Sequence, residues 1–514
     1  MFKKQQARVG QMMVILAVAL VGILAFTGLA VDLGRYLLAM GRLRQAADAA
    51  SLAAAAQFRE NRTVAEMTDA ARSMVVANGF RPTSFVVNTC DTKPGDPYLC
   101  NPPRSKKVEV EVEAEMPTAF LQIIGLNTLR LRAVSVGEAA SMDVVLVIDT
   151  SESMTYDANP GDPMRDPSQC NPGHQCHPFE EVRSAAKNFA ARILNLPANK
   201  EQDRLAIVTF ADGWRTGDTG LRFPPGSGAH PLLSKAWTYK YADAVTVLDN
   251  LQVYDPGNVC PQNLGGSDQL GPCRQYDQNG QYLGLNCPLF WNPKYHDPST
   301  CTTTAIGGGL FWAAQLLAQS GRENALWIVV MLTDGAANST LPAPGDKLDT
   351  HKHALQSLPI GFCPPSTFNP WSNNHPPPPP YCRDNNVASR HAYGNPNYDA
   401  DDYARDMADW LACSSNPAPG CSTAGQGAAV FSIGLGPLVT AVPQNAPPNS
   451  PPAGGALLRY IAAVGDDGDP ATDPCAGITD YTKWCGNYYY SPTGPKLDRV
   501  FEDIASRLFT RLTH

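Results

Sequence analysis

Two apolar runs that each end in an aspartate constrain the fold most. Residues 142–148 are nearly continuous in apolar character and stop at Asp149, and residues 325–333 stop at Asp334-Gly335. Short runs of this kind, apolar without alternation, read as parallel strands buried on both faces, so each carboxylate falls at a strand's C-terminal end. Between them, Thr302-Thr303-Thr304-Ala-Ile-Gly-Gly-Gly-Leu310 opens an apolar helix that continues through Leu317, with Thr304 at or near its first turn. Residues 203–210 and 428–436 supply further strand runs. Helix patterns over 181–196, 241–251, 306–319, 403–411, 457–464 and 495–512 alternate with them, which is the order of an α/β domain. In open α/β sheets ligands bind in the crevice beyond the C-terminal strand ends.

The residues brought to that crevice are Asp149, Ser151, Ser153, Thr304 and Asp334. Hard cations such as Mg²⁺ take oxygen ligands and usually keep waters. Two carboxylates with three neutral hydroxyls leave an ion's charge and coordination sphere open to an acidic group from a partner. The bland alternative for Asp149-Thr-Ser-Glu-Ser153 is a turn rich in helix-capping residues. Glu152 is expected to be a solvated turn residue.

These positions resemble the metal-ion-dependent adhesion site of the von Willebrand factor A domain family: D-x-S-x-S, a distant Thr, and a second Asp in a T-D-G turn. Asp203–Phe210 resembles the second strand of that family and Ala428–Gly436 a later one. The resemblance implies a Rossmann-like, doubly wound, mainly parallel sheet. It also implies that Asp149, Ser151, Ser153 and Thr304 ligate the metal and that Asp334 does so directly or through water. Mg²⁺ is the implied ion, with Mn²⁺ and Ca²⁺ as alternatives.

Residues 11–31 carry no charge and are long enough to cross a hydrocarbon core of about 30 Å. Lys3, Lys4 and Arg8 precede them, which places the basic end in the cytoplasm and the chain after Asp32 outside. A cleaved signal peptide is the alternative; the apolar stretch exceeds a typical signal core. Helical character continues to Phe58 through an alanine-dense, proline-free segment, giving a rod of roughly 70 Å. Gly10–Ile15 and Ala30–Arg35, followed by Leu43-Arg-Gln-Ala-Ala-Asp48, resemble the TadE/TadG family of tight-adherence (Flp) pilus assembly proteins. An A domain after such a pilin-like N-terminus resembles the TadG branch. Ile15 stands where a type IV prepilin carries Glu after its cleavage-site glycine, which argues against that processing.

The 514 residues divide as a basic end (1–10), a transmembrane helix (11–31), a helical stalk (32–60), a small α+β connector (61–138) and the A domain (139–514). In the connector, residues 106–115 alternate strictly, as a half-buried strand does, with residues 129–136 as its partner and an acidic face toward solvent. Insertions near 155–178, 253–301 and 336–400 are rich in Pro, Gly, Asn and Cys and are expected to crown the metal face. Five prolines after His375 favour polyproline II. The 14 cysteines fall into neighbouring pairs 90/100, 170/176, 260/273, 287/301, 363/382, 413/421 and 475/485, a pattern of stapled loops in an oxidising compartment. Sequential pairing is the simplest connectivity. A zinc reading of Cys170–His177 ranks below a Cys170–Cys176 disulfide, and His351 and His353 read as surface residues. The aspartates at 399–402 and 466–473 read as solvated turns.

A net charge of −8 and a pI near 5.6 argue against a nucleic-acid partner. No G-x-S-x-G, H-E-x-x-H or phosphate-loop motif occurs, so a metal-dependent hydrolase ranks last. The leading expectation is a non-enzymatic, membrane-anchored, extracytoplasmic pilus-assembly factor. It would bind an acidic side chain on a pilus or envelope protein through the metal, with a cell-surface adhesin for host or surface ligands as the alternative.

Overall fold

Alanine-dense sequence carries the apolar segment onward without a break. Helix α1 spans Lys3–Ala56, 54 residues and so roughly 80 Å, and passes into a 3₁₀ turn over Gln57–Glu60. It is the one helix among the described residues that is long and apolar enough to cross a membrane. The computed structural model describes residues 3–60, 63–100, 106–156, 165–194, 202–211, 237–255, 257, 259, 273–286, 304–337, 390–392, 400–442 and 449–511. They fall into two compact units, the second running from Met142 to Leu508.

In the first unit the later half of α1 is part of a core. Leu43, Ala47, Ala50 and Ala54 recur at intervals of four, three and four, which puts them on one helix face. That face packs with α2 (Val64–Ala77) and an antiparallel sheet of β1 (Pro82–Asn88), β2 (Lys106–Pro117) and β3 (Thr128–Ala139), ordered β1-β2-β3. A Thr63/Glu66 capping box starts α2. Small residues permit close approach: a Cβ at Gly137 on β3 would lie 2.3 Å from the Ser51 carbonyl oxygen of α1. The alternation of β2 holds, with Val108, Val110 and Val112 fully buried. On the opposite, acidic face Glu109 pairs with Lys93 and Glu111 with Arg132. The Cys90–Cys100 disulfide staples the loop after β1.

The second unit is built on β4 (Ser141–Asp149), β5 (Arg204–Phe210), β8 (Ala325–Thr333), β9 (Ala429–Leu435) and β10 (Tyr488–Ser491); β6 (Cys273–Tyr276) and β7 (Tyr282–Asn286) form a separate hairpin. The five-stranded order is β10-β9-β8-β4-β5, and the β4/β5, β8/β9 and β9/β10 pairs are parallel. The helices are α3 (Pro167–Cys170), α4 (Phe179–Leu194), α5 (Tyr241–Asn250), α6 (Ile306–Ser320), α7 (Ala400–Ala412), α8 (Ala453–Asp467) and α9 (Leu497–Arg511). Every residue of β4 is buried, which requires cover on both faces. Val145 and Val147 share one core with Leu310, Ala314, Ala404 and Leu457. Elsewhere α4 and α9 meet through Phe189 and Phe501, ring centroids 5.2 Å apart.

Asp143 pins the N-terminal ends of the central strands. Its fully buried carboxylate accepts from Arg204 Nε and Nη2 at 2.8 and 2.7 Å and from Arg322 N and Nε at 2.7 and 2.8 Å. Burial opposes its ionisation, but these donors win and hold its pKa below the ordinary value. Disulfides 170–176, 413–421 and 475–485 follow the sequential pairing, whereas cysteines 260, 287, 301, 363 and 382 lie outside the described residues. So do the polyproline run and His351 and His353.

Removing the Asp143 carboxylate takes the ion-pair partner from the buried Arg204 and the half-buried Arg322. Asp143→Ala should therefore lower unfolding stability by about 3–5 kcal/mol, read as a shift in the urea midpoint. A loss under about 1 kcal/mol would place the pair among weak surface bridges.

Candidate functional site

Strand order creates the site. From β4 the chain moves outward to β5, then returns to the opposite flank of β4 as β8. The reversal falls between β4 and β8, and beyond their C-terminal ends lies the crevice where doubly wound sheets take ligands. Asp149 is the last residue of β4, and Asp334 directly follows β8.

Four of the five sequence-selected residues form one hydrogen-bonded chain. Asp149 Oδ1 accepts the Ser151 N–H at 2.7 Å. Ser151 Oγ and Ser153 Oγ lie 3.0 Å apart, and Ser153 Oγ donates to Asp334 Oδ1 at 2.7 Å. Ser151 stands at the N-cap of a 3₁₀ turn over Glu152–Thr155, yet its side chain makes no capping hydrogen bond. The capping explanation therefore fails for this serine: its hydroxyl serves the carboxylate cluster. Thr304 is buried beside the neighbouring strand end, where the Ala305 N–H donates to Ala211 O at 2.9 Å. Helix α6 starts at Ile306, so Thr304 sits before the first turn rather than within it. Thr302 and Thr303 lie outside the described residues.

The electrostatics are unusual. Asp149 and Asp334 are both buried, and among the described residues no ion pair reaches either of them. Burial pushes the Asp149 carboxyl up to about 6, against the lowering effect of hydrogen bonds from Thr333 and Ser151. Burial, then the charge of Asp149, holds Asp334 well above the ordinary carboxylate range. Two carboxylates without a basic partner among the described residues, with hydroxyls between them, make a hard-oxygen donor set. Among the described residues no group of three or more His, Cys, Asp or Glu is placed to hold a metal. A cation at this crevice would rest on the two aspartates and the hydroxyls.

Sequence reasoning missed several neighbours. Thr333 Oγ1 donates to Asp149 Oδ2 at 2.5 Å, locking the second oxygen of that carboxylate; its place immediately before Asp334 was the available signal. Glu152, expected to be solvated, is half-buried and accepts from Tyr282 Oη at 2.5 Å. Tyr282 belongs to the β6/β7 hairpin within the second insertion, and no periodicity near Glu152 forecasts that long-range bond. The same hairpin reaches the first insertion through Tyr276 Oη, which donates to Asp166, and the start of the second insertion reaches it too, because Asn171 exchanges hydrogen bonds with Val253 at 2.8 and 3.0 Å. The described parts of these two insertions thus form one hydrogen-bonded assembly joined to the turn that carries Ser151 and Ser153. The third insertion is outside the described residues from 338 to 389.

Other polar candidates have local roles. His177 Nδ1 lies 2.7 Å from Glu181 Oε1 beside the Cys170–Cys176 disulfide. Asp402, expected to be solvated, is buried and pairs with Arg405 and His391. Asp467, Asp469 and Asp473 accept backbone N–H groups two residues ahead, as turn residues do.

Residues 10–57 match the family model described as "Putative Flp pilus-assembly TadE/G-like". No curated protein matches this chain. Among solved structures, the chain is similar to the pilus adhesin SpaC from Lactobacillus rhamnosus GG at 12% identity and TM-score 0.34, covering 79% of this chain and 33% of that one. It spans about a third of that relative's length. The vWF domain of the type V pili tip protein Mfa5 from Porphyromonas gingivalis aligns at 14% identity and TM-score 0.34, covering 73% of this chain and 97% of that one. The pilus adhesin RrgA from Streptococcus pneumoniae aligns at 13% identity and TM-score 0.33, covering 79% and 47%.

A raised folded-state pKa means that the folded metal-free protein gains stability on protonation, and that the gain disappears as pH rises through about 6. Asp334 is raised in the same direction, so in EDTA at pH 7 Asp334→Asn should be more stable than the parent. The difference should shrink at pH 5. Urea midpoints at the two pH values test this, and a destabilised Asp334→Asn at pH 7 would contradict the electrostatic account.

Proposed function

We propose that this chain is a membrane-anchored, extracytoplasmic, non-enzymatic protein of Flp (tight-adherence) pilus assembly. In this reading the second unit is a von Willebrand factor A head that binds an acidic group on a pilus or envelope protein through a divalent cation. The observation that carries it is the pair of buried carboxylates at adjacent strand ends, bridged through Ser151 and Ser153 and lacking a basic partner among the described residues. The family match over residues 10–57 and the exposed apolar first half of α1 support the pilus-related and membrane-anchored parts.

Asp149, Ser151, Ser153, Thr304 and Asp334 would hold the ion, Mg²⁺ by preference of the oxygen donor set. When bound, it supplies positive charge to two carboxylates that otherwise repel, and an open position for a carboxylate from the partner. Thr333 fixes the orientation of Asp149 through its 2.5 Å hydrogen bond. The insertions joined to Glu152 and Asp166 would border the partner surface and contribute to its selectivity.

Full-length protein purified from its membrane with Mg²⁺, with EDTA, and as Asp149→Ala tests this reading, with mass spectrometry identifying what is retained. A pilus component kept in Mg²⁺ and lost in the other two samples is the expected result. Retention indifferent to chelation and to the substitution would refute a metal-bridged contact. The same comparison on host or abiotic surfaces separates an assembly factor from an adhesin.

A further inference from the structure

The loop joining β2 to β3 has an unusual surface. From Thr118 to Leu129 it contains no charged residue. Its large apolar side chains face outward: Phe120 is 46% exposed, Ile123 80%, Ile124 72% and Leu126 49%. A soluble protein seldom gathers four such residues at one tip unless something covers them.

Position along α1 indicates what covers them. Asp32, fully buried, accepts the N–H groups of Ala119, Phe120 and Leu121 at 2.7, 2.8 and 2.7 Å. Phe120 also lies against Gly28, where an added Cβ would come within 2.8 Å of the Phe120 Cβ. Gly28 is one turn before Asp32, on the side of α1 whose exposed Val, Leu, Ile and Phe side chains continue back to Met12. The tip therefore sits level with the last turn of the apolar segment, and its exposed side chains extend that apolar surface.

The backbone is suited to the same surroundings. Groups placed in hydrocarbon must satisfy their hydrogen bonds internally. Beyond the three amides held by Asp32, the N–H groups of Thr118, Ile123, Gly125 and Leu126 donate to Asn127, Phe120, Gln122 and Leu121 carbonyls at 3.0–3.1 Å. The Thr118 hydroxyl donates to Leu126 O at 2.5 Å, and Gln122 Nε2 to Ala119 O at 2.9 Å. Gly125, at φ 90°, closes the tip in a left-handed conformation that favours glycine.

The geometry points to a second membrane contact: the 120–126 tip buries Phe120, Ile123, Ile124 and Leu126 in the lipid boundary beside the outer end of the spanning helix. Asp32 acts as the clamp between them, fully buried, its charge met by the amides it holds and by Arg35 at 3.8 Å. The inference rests on reading residues 11–31 as membrane-spanning. It adds that the first unit is held at a defined height against the bilayer rather than carried above it on a free rod.

The test uses full-length protein in vesicles of phosphatidylethanolamine and phosphatidylglycerol, irradiated with a diazirine photoprobe confined to hydrocarbon and mapped by peptide mass spectrometry. Labelling of residues 120–126 together with 12–31 is expected, and the paired substitution Ile123→Asp and Ile124→Asp should abolish the former while preserving the latter. Label confined to 12–31 overturns the inference, as does tip labelling that survives the double substitution. An unlabelled tip that instead cross-links to another copy or to a second protein assigns the face to that occupant and equally overturns it. Loss of label from both segments removes the anchor reading itself, and this inference with it.

Discussion

Two carboxylates facing each other out of contact with water are a strain that a folded chain must justify. Asp149 and Asp334 are brought together because β4 and β8 are neighbours in the sheet, and hydrogen bonds from Thr333 to Asp149 and from Ser153 to Asp334 tie their C-terminal ends to each other. The surrounding polar groups then follow. Thr333 and the Ser151 amide orient Asp149, and Ser153 engages Asp334, but hydroxyls and amides do not neutralise charge. What remains is a demand for a proton or a cation, which is why both carboxyls sit above their ordinary pKa range.

The opposite end of the same strands shows how differently a buried aspartate behaves when it is paired. Asp143 receives two arginines, and its pKa falls; Asp149 receives hydroxyls and an amide, and its pKa rises. The residues are six apart on one strand, so intrinsic chemistry cannot distinguish them. The guanidinium groups of Arg204 and Arg322 make the first carboxylate a structural rivet. No guanidinium reaches the second among the described residues, so its charge is met there by hydrogen bonds alone.

In the first unit a comparable economy of charge concerns Asp32. An acid at the end of an uncharged segment reads in sequence as the point where the helix leaves the membrane. The structure gives it a further role, because its two oxygens gather three amides from a loop nearly ninety residues later. Beyond it, alanines on α1 and Gly137 on β3 let helix and sheet backbones approach closely. The stalk expected over residues 32–60 is helical, but its second part is buried in the module it was expected merely to carry.

The strand runs ending in Asp149 and Asp334, the alternation of β2, the long N-terminal helix and the four described disulfides were legible in the sequence, because each is a local pattern of hydrophobicity, propensity or spacing. Strand β1, the short β10 and the β6/β7 hairpin were not, since brief elements with mixed composition depend on their neighbours for stability. For the candidate site, sequence alone chose the residue types and their order along the chain. Only tertiary structure decided that Ser151 turns from capping toward Ser153, that Thr333 locks Asp149, and that Glu152 meets Tyr282. The physical reason is distance in sequence: Ser153 and Asp334 are 181 residues apart, Asp149 and Thr333 are 184, and no local periodicity encodes a hydrogen bond across such a span.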